Sequence, residues 1–465
     1  MDRPNAWKSY TSEDYKNVFD FAEGYRQFIS KFKTEREVTE ASIRFVKKNG
    51  YMDLADVIRD NIPLKAGDKV FAANMKKSLA LFNIGTEPIE NGMNILGAHI
   101  DSPRLDIKQN PLYEDTELTF LDTHYYGGIK KYQWVTRAMA LHGVVALKDG
   151  RVVPFTIGED ANDPVVGISD LLIHLAAEQM KKVGTKVVEG EDLNILVGSM
   201  PFPADSKDVK DEKELVKKNI LNILKDQYEI DEEDFLSAEI ECVPAGPARD
   251  YGLDRSMILG YGHDDKVCAY PSLIAQVRVT NPTRTAVTLL VDKEEIGSVG
   301  ATGMHSRFFE NAVAEVLNAA GQYSDLALRR ALANSKMLSS DVSAAYDPNY
   351  SSVSDKNNSA FFGRGVVFNK YTGARGKSGS NDANAEFFAE IRRICDDNHV
   401  FFQTAELGKV DAGGGGTIAY IMANYGMNVI DSGVAVQNMH APEEVISKAD
   451  LYEALKCYEA FLKEA

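Results

Sequence analysis

From residue 251 onward, short apolar runs alternate with stretches whose apolar residues recur at helical spacing. No other feature narrows the possible folds as much. Strands joined through helices pair in parallel, and the helices cover both faces of the resulting sheet. The expected strands are 286–291, 337–341, 366–368, 400–404 and 427–431. The expected helices are 264–276, 308–319, 382–396, 417–425 and 448–463. An earlier run, Met93-Asn-Ile-Leu-Gly-Ala-His-Ile100, reads as a buried strand. Asp101-Ser102-Pro103 stops it, because proline cannot donate to a ladder. Two helices precede it, at 12–33 and 39–49, the second with Thr39 as N-cap and Gly50 as stop.

Between these parts, over 106–248, the character changes. Segments such as 139–147 end in Lys148-Asp149-Gly150, a hairpin signal. A helix is expected after Ser169-Asp170, with Leu171, Leu172, Ala176 and Met180 on its apolar side. A polar helix at 211–227 and a strand at 239–243 follow. The fold class is therefore α/β. A three-layer α/β/α domain formed by 1–105 and 249–465 is interrupted by a β-rich domain at 106–248. A length of 465 residues accommodates such a division.

A net charge of −17 disfavours nucleic acid as a partner, since phosphate binding needs a basic surface. The start has no apolar signal core, and no apolar run is long enough to span a bilayer. Cys242, Cys268, Cys395 and Cys457 form no Cys-x-x-Cys pair, so neither a zinc ribbon nor a disulfide framework is indicated. The expectation is a soluble cytoplasmic protein with reduced thiols and no membrane partner.

The chemistry lies where apolar runs end. Thr288-Leu-Leu-Val291 passes abruptly into Asp292-Lys-Glu-Glu-Ile-Gly-Ser298. Ligands in open α/β sheets bind beyond the carboxyl ends of strands. Two adjacent carboxylates there can divide labour, one holding a metal and the other moving protons. His99 and Asp101 point the same way in an extended chain. Asp101 can then orient the His99 imidazole and raise its basicity. Asp264 stands at the start of a helix, where aspartate is also an ordinary cap. Asp341 ends another strand, and His440 precedes the last helix. Two of only eight histidines thus fall at element ends with three carboxylate positions. Mixed His and Asp/Glu donors suit zinc, cobalt or manganese. With one bridging carboxylate they suffice for two ions about 3.5–4 Å apart.

Five blocks carry a family resemblance. They are Gly97-Ala-His-Ile-Asp-Ser-Pro-Arg104, His263-Asp-Asp-Lys-Val-Cys268, Asp292-Lys-Glu-Glu-Ile-Gly-Ser298, Ser340-Asp-Val-Ser-Ala-Ala-Tyr-Asp-Pro-Asn-Tyr350 and Met439-His440. In this order they resemble the M18 metalloaminopeptidases, the family of the aspartyl aminopeptidases and vacuolar aminopeptidase I. The resemblance implies a di-zinc exopeptidase acting on peptides. By it, His99, Asp264, Glu295, Asp341 and His440 are the metal ligands and Glu294 is the general base. Asp264 bridges the ions; His99 and Asp341 serve one, Glu295 and His440 the other. It further implies that the insert drives self-assembly into large, often dodecameric, shells. Where the aspartyl branch has a lysine for the substrate's acidic side chain, this chain has Asn369, with Lys370 one residue on. The expected N-terminal residue of the substrate is accordingly neutral or acidic.

Two glycine-bearing stretches need placing. Gly373-Ala-Arg-Gly-Lys-Ser378 looks like a phosphate loop, but Tyr371 stands where that motif requires its first glycine. Asp411-Ala-Gly-Gly-Gly-Gly-Thr417 precedes a helix. Gly414 and Gly415 there can let substrate approach and offer backbone N–H groups. Competing readings are a catalytically silent scaffold or cargo-binding shell of the same fold, a phosphate-loop ATPase, and a di-metal carboxypeptidase or deacylase.

Overall fold

Strand Met93–His99 lies at the middle of a nine-stranded sheet, and its side chains show why. Met93 and Ile95 join one buried apolar cluster, while Leu96 and Ala98 join another on the opposite face. Its neighbour Thr285–Val291 divides the same way, with Val287, Leu289 and Val291 to one side and Ala286 and Leu290 to the other. Alternate residues of a strand face opposite sides, so a run apolar throughout must be covered twice. Each fully buried branched side chain contributes about 1.5–3 kcal/mol.

The computed structural model describes residues 3–203, 213–373 and 375–465. By its internal contacts the chain divides into two compact units. The first comprises Met1–Ser102, Ala248–Met439 and Glu444–Ala465; the second comprises Pro103–Pro247 and His440–Glu443.

Among the described residues of the first unit, nine strands form one sheet. Their order is Met52–Asp53, Lys69–Asn74, Ser78–Asn83, Thr285–Val291, Met93–His99, Lys336–Ser340, Asn428–Gly433, Val366–Asn369 and Phe402–Thr404. The four strands from Thr285–Val291 to Asn428–Gly433 are mutually parallel. Antiparallel pairings flank them, so the sheet is mixed, with most of its pairings parallel. Helices Ser12–Lys31, Glu35–Lys48, His263–Arg278, Ala385–Asp397 and Lys448–Glu464 supply one covering layer. Leu54–Arg59, Phe308–Ala319, Asp325–Ala333 and Ala419–Ala423 supply the other. The three-layer α/β/α architecture follows.

Several elements differ from expectation. The second helix starts at Glu35, because Thr34 and Glu37 form a reciprocal capping box. Thr39 is buried inside that helix and caps nothing. The expected helix at 417–425 shrinks to Ala419–Ala423, its start preceded by the glycine run. A second, small sheet joins Arg249–Tyr251, Met257–Gly260, Glu444–Ser447, Ala435–Gln437 and Ser343–Ala344. Strands of two to four residues carry too little periodicity to be read from sequence.

Among its described residues the second unit contains a six-stranded antiparallel sheet in the order Val152–Ile157, Met139–Ala146, Ala238–Pro244, Arg104–Asp115, Leu118–Tyr126 and Ile195–Gly198. The hairpin at 148–150 is present, with Leu147 N–H donating to the Arg151 carbonyl. The polar helix is Leu215–Tyr228; its expected start at Asp211 lies outside the described residues. No α-helix forms over 171–182. Short 3-10 turns at Ile173–Leu175 and Gln179–Lys181 stand there instead. Ala176 alone of the four apolar residues is buried; Leu171, Leu172 and Met180 are exposed. Among the described residues no helix is long and apolar enough to cross a membrane. All four cysteines are buried free thiols.

Candidate metal centre

Ligand-type side chains converge at the carboxyl ends of adjacent strands. His99 ends its strand with 1% exposure. Its Nδ1 lies 3.0 Å from the Asp101 carbonyl oxygen and 3.3 Å from Asp101 Oδ1. Its Nε2 lies 3.1 Å from Asp264 Oδ1, 3.8 Å from Asp341 Oδ1 and 3.9 Å from Glu294 Oε2. Asp101 is fully buried and holds more than the imidazole. Its Oδ1 accepts from Glu294 N–H and its Oδ2 from Glu295 N–H, both at 3.2 Å. One carboxylate therefore ties the end of one strand to the turn that follows its neighbour.

That turn lets both glutamates reach inward. Lys293 takes a left-handed φ of 68°, Glu294–Ile296 make a 3-10 turn, and Gly297 follows at φ 93°. Ser298 N–H closes it on the Lys293 carbonyl at 2.7 Å. A glycine meets the second positive φ without a side-chain penalty.

Asp264 is no helix cap. It and Asp265 have non-helical dihedrals ahead of the regular part of His263–Arg278, and the peptide between them is cis. The Asp264 backbone is fixed on both sides. Its N–H donates to Glu444 Oε2 at 3.0 Å, and its carbonyl accepts from Ser102 Oγ at 2.8 Å. The buried ammonium of Lys266 in turn donates to Ser102 Oγ at 2.6 Å. Asp341 follows its strand directly, with its N–H on the Ser432 carbonyl at 2.9 Å.

Two groups of potential ligand atoms lie within 4.8 Å of one another: His99 with Asp264 and Glu295, and His99 with Asp265 and Asp341. Asp265 is the residue that sequence reasoning overlooked. The only signal was its adjacency to Asp264 in His263-Asp-Asp-Lys266, which gives no hint of which carboxylate faces the site. The donor set fits a divalent cation. Asp265 is fully buried, and the Cys268 thiol is the one hydrogen-bond donor its carboxylate has among the described residues. A buried carboxylate so poorly satisfied is costly unless a cation compensates it. Burial drives Asp265 well above the usual carboxylate range, with Asp341 adding to it. Glu294 is pushed up to about 8, first by burial and then by Asp341. At His99, burial works to lower the pKa, but Asp101, Asp264 and Asp341 outweigh it and hold the imidazole well above its ordinary value.

The remaining expected residues are distributed as follows. His440 falls in the second unit, with Nδ1 2.7 Å from the Gly128 carbonyl oxygen. The structure does not group it with the ligands above. Asn369 is buried, its amide donating to the Ala405 carbonyl at 2.9 Å. Lys370 pairs with Asp382 at 2.7 Å, and Lys377 takes the other oxygen of the same carboxylate at 3.0 Å. Gly415 N–H donates to the Thr372 carbonyl at 3.0 Å. At Gly413 a side chain would collide with the Leu407 carbonyl. Residues 371–373 and 375–377, with 406–411 and Gly413, line a cavity of about 240 Å³. Within the phosphate-loop-like segment, Ala374 lies outside the described residues. Lys377 there is committed to Asp382 and sits 3.8 Å from the Tyr371 ring centre.

Comparison with known proteins matches residues 28–462 to the family described as "Aminopeptidase I zinc metalloprotease (M18)". The chain belongs to the M18 aminopeptidases. A Clostridium acetobutylicum relative described as a probable M18 family aminopeptidase 1 is 60% identical over 458 residues, covering 98% of this chain and 97% of that protein. The crystal structure of the M18 aminopeptidase from Thermotoga maritima superposes with a TM-score of 0.94 at 42% identity, with full coverage of both chains. The mApe1 dodecamer of S. cerevisiae shares the fold at 20% identity, with a TM-score of 0.77 over 96% of this chain and 97% of that one. The M18 chain described here is accordingly a hydrolase of the exopeptidase class with a di-metal exopeptidase fold.

Proposed function

We propose that this M18 protein removes the N-terminal residue of peptides using two divalent cations, with Glu294 as general base. The carrying observation is the convergence on His99 of Asp264 with Glu295 and of Asp265 with Asp341, with half-buried Glu294 beside His99. Following the family pattern, Asp264 would be shared between the ions, with His99 and Asp341 holding one and Glu295 and His440 the other. A histidine anchored through Nδ1 on a carbonyl, as His440 is on Gly128, is oriented in the way metal-binding histidines usually are. Zinc suits these nitrogen and oxygen donors, as do cobalt and manganese.

Bound cations of this kind supply an acidified water and a polarised carbonyl. The protein's own part is proton movement and alignment. Glu294 takes a proton from water as it adds to the scissile carbonyl carbon, then gives it to the amine nitrogen as the C–N bond breaks. Asp101 keeps His99 in one orientation and fixes the backbone from which Glu294 and Glu295 extend. The Lys370–Asp382 pair and the neutral amide of Asn369 weigh toward a neutral N-terminal residue over an acidic one.

Self-assembly, with a dodecamer as the family example, is part of this reading. The inserted unit exposes Leu171, Leu172, Ile173, Leu175, Met180 and Val183 within one short stretch, and such clustering marks interaction surfaces. The reduced, buried thiols accord with a cytoplasmic location. Metal analysis with leucyl-, aspartyl- and glutamyl-p-nitroanilide assays tests the whole. Two metals per active chain and turnover of a free amino terminus are expected. Fewer than two metals in active enzyme would refute the di-metal site. Hydrolysis of N-acetylated peptides would instead mark a deacylase, and no turnover in the metallated protein a silent shell.

A further inference from the structure

The glycine run at 411–417 is tied to the sheet by a part-buried hydrogen bond. Thr417 Oγ1 donates to Asp431 Oδ1 at 2.6 Å and accepts from Ala419 N–H at 3.2 Å. Asp431 is 2% exposed, and its Oδ2 has no hydrogen-bond partner among the described residues. A carboxylate buried on a single side-chain hydroxyl is a poor stabilising device, because desolvation outweighs one bond. Such groups concentrate at functional sites.

Its position in the sheet suggests the function. Asp431 stands in register with Ser339, two residues before Asp341, on one side. On the other side it stands in register with Asn369. The chain order thus sets Asp431 level with the strand that leads to a metal ligand and with the residue assigned to the substrate side chain. The run is held a second time by Gly415 N–H on the Thr372 carbonyl. Burial also pushes Asp431 up to about 7, which marks how strongly the site is desolvated.

We propose that Asp431 is a positioning residue for the reaction: through Thr417 it latches the glycine run at the height of Asn369 and so sets where the run meets the substrate. This rests on the aminopeptidase reading above. Asp431 touches neither reacting atoms nor cations in this role. It fixes a loop that would otherwise, with four consecutive glycines at 413–416, sample many conformations.

The test uses the full-length, metal-loaded protein. Thr417→Val and Asp431→Ala each remove the latch. Each should raise KM for leucyl-p-nitroanilide about tenfold, the scale of one lost bond to a charged group. Metal content and kcat should stay within about twofold, and the double variant should be no worse than either single, as coupled partners require. Asp431→Asn keeps the acceptor oxygen and should restore KM. Hydrogen exchange read on peptides spanning 411–418 should quicken in Thr417→Val and Asp431→Ala. Unchanged exchange and KM in Thr417→Val would overturn the latch. Loss of metal in Asp431→Ala together with Thr417→Val would make the pair scaffold and overturn it also. Faster exchange in a protein that hydrolyses no peptide would overturn the aminopeptidase reading and with it any role in turnover.

Discussion

Residues 308–319 and 169–182 carry similar apolar spacing, yet only the first folds as a helix. Phe308–Ala319 lays Phe309, Val313, Val316 and Leu317 into the core beneath the nine-stranded sheet. In the inserted unit the corresponding side chains remain in solvent, with Ile173 70% and Leu175 68% exposed. An amphipathic pattern specifies a helix only where a surface is available to bury its apolar side, because most helical stability in proteins comes from packing. In the first unit Phe308–Ala319 finds such a surface. The second presents apolar side chains outward, which is the state expected of a surface waiting for another chain.

The sharpest way to break this contrast is to silence one unit and watch the other. Glu294→Gln keeps size and removes basicity. Turnover should fall roughly 10²–10⁴-fold, the range of a positioned acid–base group, with both metals and the assembly intact. Near-normal turnover in the metallated variant would place the base elsewhere. Phe309→Ala should cost the fold about 3–5 kcal/mol in denaturant unfolding, as for other buried aromatics. Asp101→Ala should weaken metal affinity about 10–100-fold by competition with a chelator, the usual effect of losing an orienting carboxylate. Undiminished affinity would show that His99 holds its orientation without it. Ile173→Asp combined with Leu175→Asp should split the assembly by light scattering, whereas unchanged mass would exclude that stretch from the interface. Smallest of all, Ile173→Ala measured in separated subunits should shift stability by no more than about 0.5 kcal/mol.

Much of the metal-bearing unit was legible because its signals are local. Runs apolar on both faces, such as 286–291, have to be central strands, and charges at their ends have to sit at the sheet's carboxyl edge. That reasoning points to His99, Asp101, Glu294, Glu295 and Asp341, whereas Asp264 stands at the start of a helix. Asp265 escaped because a pair of aspartates at a helix start reads equally well as capping, and only the non-helical backbone there brings both carboxylates inward. Thr39 has the side chain of a cap, but the reciprocal bond that starts the helix joins Thr34 and Glu37, three residues apart, upstream of it. The missing helix after Asp170 is a failure of another kind. Its pattern is real, but nothing in 169–182 says whether a covering surface belongs to the same chain.

Asp101 accepts two successive backbone amides, those of Glu294 and Glu295, while standing two residues beyond His99. The consequence is kinematic. A carboxylate clamped across two neighbouring N–H groups resists both translation and rotation, so the strand ending in His99 and the turn carrying the two glutamates behave as one stiff bracket. Breathing of the sheet can move that bracket against Asp341 or Asp264. It cannot easily change the spacing between the His99 imidazole and the two glutamates, the three positions to which the proposed mechanism assigns ligands and base.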